Sequence, residues 1–487
     1  MQRRTDEGRE VPDEGHAVDV GVPLVIDADT TVAHASLLIS ALLAHLKSSP
    51  LGLFQIPVWL FGGRCHLERK LVEAGVCAHL VLPLEPGLAA FAARSAAEGR
   101  AVHLQGTQRS PLLHEVASRQ SLIEGLTVDA ARMNGHAQGE PAVLTNGASS
   151  ILDYAAARGG IVEVERRPMR AAVPGTTGEG REAARVTMRL PGPSVLHELA
   201  KGMRLHQCVK NLIVFVPVIL GGRLTDLGEV ADALVAFLAL SLVASGTYLV
   251  NDVWDAADDR KHWSKRDRPV ASGRLSVAAA LGAALPIIAL GLLLGAFVSA
   301  QTAIMLLVYL AVTMAYTMHV KTVPFVDGVV LAGLFTIRLG IGAVAADVPP
   351  SPWLFVFSMF LFASLSYAKR HTEIAKVIER RDKAINGRGY RAVDAPMVLT
   401  VGLASGIGAV MIMVLYIVEE AFRNSFYGST VWLWGFPPLV FFFIVRVWLV
   451  SVRGEMSDDP VAFAIKDRPC LALLGLLSIC FGFAWLG

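Results

Sequence analysis

The sequence predicts an all-α polytopic membrane domain of about nine transmembrane helices, preceded by a soluble α/β domain. Three observations carry that expectation. From Leu212 onward the 487-residue chain is dominated by apolar runs of spanning length, which raise its mean hydropathy to +0.50. The segments joining those runs alternate between basic and almost uncharged. The first 200 residues are instead polar to mixed, and an early apolar run at 22–26 reads as a buried strand.

Taken in order, residues 1–20 are charged, lack an apolar core and read as a disordered tail without a signal peptide. Residues 21–165 form the expected α/β domain, and 166–193, rich in Arg, Gly and Pro, a flexible linker. Within the α/β domain, 37–61 is unusually apolar. It suits either a cap helix pair or a surface lying on the bilayer, and Pro50 argues against a span. The membrane domain covers 194–487, with spans expected near 211–222, 230–250, 276–299, 301–319, 326–346, 352–368, 395–418, 431–451 and 469–487.

Charge orients these spans. Basic residues fill the segment before the first span (Lys201, Arg204, Lys210) and every second loop after it. The loops between carry Arg223, nothing, nothing and Arg423. The positive-inside rule then places the N-terminal region and the even-numbered loops in the cytoplasm of a cell with a cytoplasmic membrane. The net charge of +2 says little by itself, no nucleic-acid partner is expected, and the five scattered cysteines fit neither a zinc pattern nor a disulfide framework. A homo-oligomer is compatible with the composition.

One motif points to chemistry. Asn251, Asp252, Asp255 and Asp259 read N-D-x-x-D-x-x-x-D and follow the apolar stretch 231–250. On one helix, spacings of three and four put the three aspartates on a single face. Carboxylates so placed repel one another unless a cation lies among them. Oxygen-only ligands suit Mg²⁺, which completes its shell with water and substrate phosphate. The expected ligand is therefore a diphosphate-bearing substrate at a membrane surface.

Further polar groups begin at helix ends assigned to the same side. Lys265, Arg266 and Arg268 follow the motif and can clamp phosphate oxygens. Tyr316, Lys321, Asp327 and Arg338 surround the fourth loop. Arg338 lies eleven residues past Asp327, roughly 16 Å along a helix, where a charge is costly unless it faces a polar cavity or a buried partner. Lys369, Arg370 and Glu373 close the sixth span, and Arg204, Gln207, Lys210 and Asn211 open the first. These groups can converge on one cavity.

The strings M-R-L-H-Q-C-V-K-N (203–211), Y-L-V-N-D-V-W-D-A-A-D-D-R (248–260), K-R-D-R-P-V-A-S-G (265–273), K-T-V-P-F-V-D (321–327) and A-K-R-H-T-E (368–373) together resemble the UbiA-type intramembrane prenyltransferase superfamily. Within it they are most similar to the decaprenyl-phosphate 5-phosphoribosyltransferases. The resemblance covers about 195–487. It implies nine helices around a cavity, and Mg²⁺-dependent transfer of phosphoribose from phosphoribosyl diphosphate to a polyprenyl phosphate for cell-envelope synthesis. Asp252, Asp255 and Asp259 would hold the metal, with Lys321 and Asp327 also catalytic. Arg204, Lys210, Asn251, Lys265, Arg266, Arg268, Tyr316, Arg338, Lys369 and Arg370 would bind substrate. Superfamily prenyltransferases carry a second D-x-x-x-D motif. Here the matching place offers Asp327 with Leu331 four residues on, which favours a sugar diphosphate. Prenyl transfer to another acceptor and a non-catalytic lipid scaffold remain as alternatives.

The strand at 22–26 runs into Asp27-Ala28-Asp29-Thr30-Thr31, which resembles the haloacid dehalogenase superfamily, with Asp27 as nucleophile and Asp29 as acid/base. The likeness is incomplete. No lysine occurs between Gly106 and Asp153, and 145–150 lacks the metal-binding acid. The domain reads as a degenerate phosphatase. The alternative is an active one that dephosphorylates the lipid-linked ribose.

Overall fold

The computed structural model describes residues 24–27, 34–49, 52–80, 97, 102–105, 110–119, 125–127, 142–145, 160–165, 184–189, 194–261, 265–379, 388–423, 426–456 and 460–486. The expected tail 1–20 and Asp29 lie outside them. The chain divides into two compact units: 1–198 with 259–278, and 199–258 with 279–487.

The first unit contains a six-stranded, all-parallel sheet. Its strands are β1 (Leu24–Asp27), β2 (Val102–Gln105), β3 (Gly125–Thr127), β4 (Ala142–Thr145), β5 (Gly160–Glu165) and β6 (Ala184–Arg189). They lie in the order β3-β2-β1-β4-β5-β6, so β1 is internal and the order reverses beside it. That is the doubly wound arrangement, in which ligands collect outside the carboxyl ends of the strands at the reversal. Asp27 is the last residue of β1 and pairs with Gln105. β6 falls within the stretch expected to be a flexible linker, 166–193. Its alternation Ala-Arg-Val-Thr-Met-Arg suits an edge strand, and β5 supplies its ladder. Helices His34–Ser48, Gly52–Phe61 and Arg64–Glu73 follow β1. Glu68 is buried there and accepts from Ser110 Oγ at 2.6 Å.

Among the described residues nine helical stretches are long and apolar enough to cross a membrane: Val195–Leu220, Leu227–Trp254, Val277–Val298, Ala300–Met318, Val326–Ala345, Pro352–Lys376, Ala392–Glu419, Thr430–Val452 and Arg468–Leu486. They coincide with the nine expected spans. The first differs in form. It begins at Val195 and is built from helix Val195–Gly202, a 3₁₀ segment Leu205–Phe215 and helix Val216–Leu220. The break lies at Arg204, whose φ of 52° is left-handed, a conformation costly for a residue with a Cβ. Asp226 caps the second span by accepting from Gly228 N at 3.0 Å.

Among the described residues, apolar packing in the second unit forms two large cores and a small cluster of Val218, Ala233 and Ala346. Val214, Leu240, Val243, Leu306, Leu334 and Ile341 join spans one, two, four and five. Ala332, Tyr367, Val398, Ile444 and Trp448 join spans five to eight. The fifth span therefore serves both cores, and it also carries Asp327 and Arg338. Gly342 allows the fifth span to reach the first. A Cβ there would lie 2.0 Å from the Val214 carbonyl oxygen, so only glycine fits.

Candidate active site

The N-D-x-x-D stretch ends the second span. The helix stops at Trp254, Asp255 is its terminal cap residue, and Asp259 belongs to the next short helix, Ala256–Lys261. The expectation of three aspartates on one face of one helix is thus corrected. Asn251 and Asp252 lie on the long helix, Asp255 at its end and Asp259 beyond. Among the described residues no three His, Cys, Asp or Glu side chains are clustered to hold a metal ion.

Each aspartate instead engages a base. In the second unit, buried Asp252 is held by Arg204 and Asp255 by Lys321. The Arg204 guanidinium also lies 5.1 Å from the Tyr248 ring centre. The left-handed turn at Arg204 therefore brings a base from the start of the first span to the end of the second. In the first unit, Arg268 Nη1 donates to Asp259 Oδ2 at 2.6 Å, and Arg260 Nε donates to the Ala271 carbonyl at 3.0 Å. Burial pushes the Arg260 guanidinium below its ordinary value. Lys265 is half-buried and Arg266 exposed in the same loop.

Asp327 is the centre of a second network, and it is fully buried. Arg370 Nε donates to its Oδ2 at 2.6 Å, Tyr390 OH donates to its Oδ1 at 2.6 Å, and Arg388 Nη1 lies 3.5 Å from Oδ2. Arg370 also holds Glu373, and Tyr316 OH accepts from Arg388 Nη1 at 3.2 Å. Two arginines and two acids are thereby matched inside the protein. Asp327, expected among the catalytic residues, is in this structure bonded to Arg370 and Tyr390, and so positions the segment around it. Burial, reinforced by the hydrogen bond to Asp327, pushes the Tyr390 phenol well above its ordinary value. Tyr390 OH also accepts from Phe325 N at 2.7 Å, and Tyr367 OH donates to the Phe325 carbonyl at 2.9 Å. Phe325 sits at φ 66°, so both its backbone polar groups are tied while it occupies an unfavourable conformation.

Arg338 is buried three turns along the helix from Asp327. Nε donates to Asn211 Oδ1 at 3.1 Å and Nη2 to Tyr309 OH at 3.0 Å. The Phe335 ring centre is 4.7 Å away. Arg338 meets neutral oxygens and the aromatic faces of Tyr309 and Phe335, and among the described residues it forms no ion pair. Asn211 is itself oriented by donating to Ser241 Oγ at 3.0 Å. Lys210 reaches Gln207 at 3.3 Å, and Lys369 is half-buried beside Arg370.

Sequence reasoning overlooked Tyr309, Tyr367, Arg388 and Tyr390. Tyr309 and Tyr367 carry a readable signal, since a phenol inside an apolar span needs a partner for its hydroxyl, whereas Tyr390 lies in the loop before the seventh span. Arg388 carries none, because it sits among many loop bases.

Within the second unit the donors fit Mg²⁺ by type: Asp252 and Asp255 offer only carboxylate oxygens. Binding would exchange the present base of each for the ion and release Arg204 and Lys321 to other anions.

These motifs and spans meet a known pattern, matching the UbiA prenyltransferase family over residues 214–466. The chain belongs to that family. It is 31% identical over 474 residues to uncharacterized protein y4nM of Sinorhizobium fredii, covering 95% of this chain and 91% of that one. It is 32% identical over 289 residues to nodulation protein NoeC of Azorhizobium caulinodans, covering 58% and 91%. It is 30% identical over 299 residues to the decaprenyl-phosphate phosphoribosyltransferase of Mycobacterium tuberculosis, covering 59% and 94%. This UbiA-family protein is thus a multi-pass membrane protein of transferase type, and its likeness to y4nM includes most of the first unit.

Proposed function

We propose that the membrane unit transfers 5-phosphoribose from phosphoribosyl diphosphate to a polyprenyl phosphate, releasing diphosphate. The observation that carries this reading is the pairing of Asp252 with Arg204 and Asp255 with Lys321. Carboxylates for a metal and bases for phosphate are stored as mutual partners, ready to separate around a metal–diphosphate. Mg²⁺, when bound, would supply Lewis-acid stabilisation of the departing diphosphate.

The chain's own groups account for the remaining steps. A polyprenyl phosphate oxygen forms the new bond to ribose C1 while the C1–O bond to diphosphate breaks, and the leaving group keeps the electron pair. The nucleophile is already ionised, so no general base is required. Arg204 and Lys321, once released, would stabilise charge on the leaving diphosphate. Arg338 would meet a phosphate at the apolar end of the site. Leu331, four residues on from Asp327 where a second aspartate would complete D-x-x-x-D, supports a sugar diphosphate over a prenyl diphosphate. The name borne by the M. tuberculosis relative points the same way. Loop charges support a site facing the cytoplasm, where phosphoribosyl diphosphate is made.

The test supplies purified protein with Mg²⁺, decaprenyl phosphate and radiolabelled phosphoribosyl diphosphate. The reading expects a labelled lipid and stoichiometric diphosphate. Turnover of prenyl diphosphate with none of phosphoribosyl diphosphate would sink it.

For the first unit we retain the degenerate haloacid dehalogenase-like reading. It is supported by the doubly wound strand order with Asp27 at the end of internal β1. Phosphate release from the ribosyl lipid by the full protein, lost in Asp27→Asn, would replace it with an active phosphatase.

A further inference from the structure

The helix Gly52–Phe61 is apolar on both faces. Its inner face, Gly52, Gln55, Ile56 and Trp59, turns toward the preceding helix: His45 bonds Gln55 at 2.9 Å and its ring lies 4.8 Å from that of Trp59. Its outer face, Phe54, Pro57, Val58 and Phe61, follows the i, i+3, i+4, i+7 spacing of a single stripe. That stripe is open, with Phe54 73%, Val58 66% and Phe61 92% exposed, and Leu60 beside it at 56%. An apolar stripe of this kind marks a surface that something covers.

We propose that this helix lies in the surface of an anionic phospholipid bilayer, with Phe54, Val58 and Phe61 among the acyl chains. Three features favour lipid over protein. The stripe offers no polar atom of its own to a partner, whereas protein interfaces carry regular hydrogen bonds. Bases flank it: Lys47, Arg64, Arg69 and Lys70 against Glu68 and Glu73, four minus two, with Glu68 buried. Exposed Arg69, and exposed Arg64, which also donates to Glu68 at 2.9 Å, follow the stripe within eight residues and complement anionic headgroups. The same chain carries nine membrane-crossing stretches, so a bilayer is always present at the high effective concentration of a tethered partner. The helix thus holds the first unit at the membrane surface, whatever reaction the second unit performs.

The test uses the full chain with p-benzoylphenylalanine placed at Phe54 or Phe61, and at exposed Arg119 as control. The protein is reconstituted in vesicles of phosphatidylcholine with about one-third phosphatidylglycerol, irradiated, and analysed by mass spectrometry. The expected result is at least about fivefold more phospholipid adduct at Phe54 and Phe61 than at Arg119, falling severalfold in phosphatidylcholine alone. Adducts to a second copy of the chain, or phospholipid yields equal to the Arg119 control, would overturn the proposal. Yields unchanged in phosphatidylcholine alone would overturn its anionic specificity.

Discussion

Arg370 on the sixth span donates through Nε to Asp327 on the fifth at 2.6 Å, and both side chains are sealed from solvent. The pair ties the helix that serves both cores to its neighbour. Removing one partner leaves a buried charge uncompensated, at about 3–5 kcal/mol. Arg370→Met should therefore lower the melting temperature in detergent sharply. Arg370→Gln combined with Asp327→Asn should cost less than the sum of the single changes, since the pair is coupled. Additive losses would show that the two are independent.

Tyr390 gives the network a pH signature. Burial and Asp327 raise its phenol, so the folded state favours the neutral form. Its contribution is complete below the unfolded phenol value of about 10 and is lost as pH rises from there toward the folded value. Alkaline unfolding of the native protein should include this component, and Tyr390→Phe should remove it. At neutral pH that change should cost about 1–3 kcal/mol, because Asp327 and the Phe325 N–H lose a partner. Melting curves between pH 7 and 11 for both proteins decide the matter.

Asp252 and Asp255 should control metal dependence. Asp252→Asn and Asp255→Asn are each expected to reduce turnover about 100-fold, or roughly 2.7 kcal/mol. Each should also abolish the rise in melting temperature that Mg²⁺ with phosphoribosyl diphosphate produces in the native protein. Variants that keep that shift while losing activity would place the metal elsewhere.

Arg338 should matter to substrate more than to folding. Arg338→Met removes a buried charge held by the neutral oxygens of Asn211 and Tyr309, so the melting temperature should change little. kcat/KM for phosphoribosyl transfer should fall about tenfold or more, about 1.4 kcal/mol or above. Arg338→Lys keeps charge but loses the fork to Asn211 and Tyr309, and should fall between. Activity that merely follows the melting temperature would reduce Arg338 to a structural role.

Gly342→Ala is predicted to destabilise the contact between the first and fifth spans. Its Cβ would meet the Val214 carbonyl oxygen at 2.0 Å, and overpacking of this kind costs about 1–3 kcal/mol. Gly475→Ala, with open space around it, serves as the control in the same melting assay.

Periodicity and charge by themselves located eight spans and the end of the first, because a span needs only local apolarity over a fixed length; that the first begins at Val195 and breaks at Arg204 was not legible. The motif Asn251–Asp259 and the bases near it were legible for the same reason, as residue types recognisable one by one. Pairing was not legible. Nothing local says that Arg204 turns back to Asp252, that Lys321 meets Asp255, or that a tyrosine from the sixth loop takes an oxygen of Asp327. Those partners lie tens of residues away in sequence, and only packing decides which buried charge reaches which. Nor did spacing alone reveal that the helix ends before Asp259, because the periodicity of three and four continues in the letters after the backbone has stopped. Only the tertiary structure decided that three acids in a row meet three separate bases, and that Asp327 meets Arg370 and Tyr390.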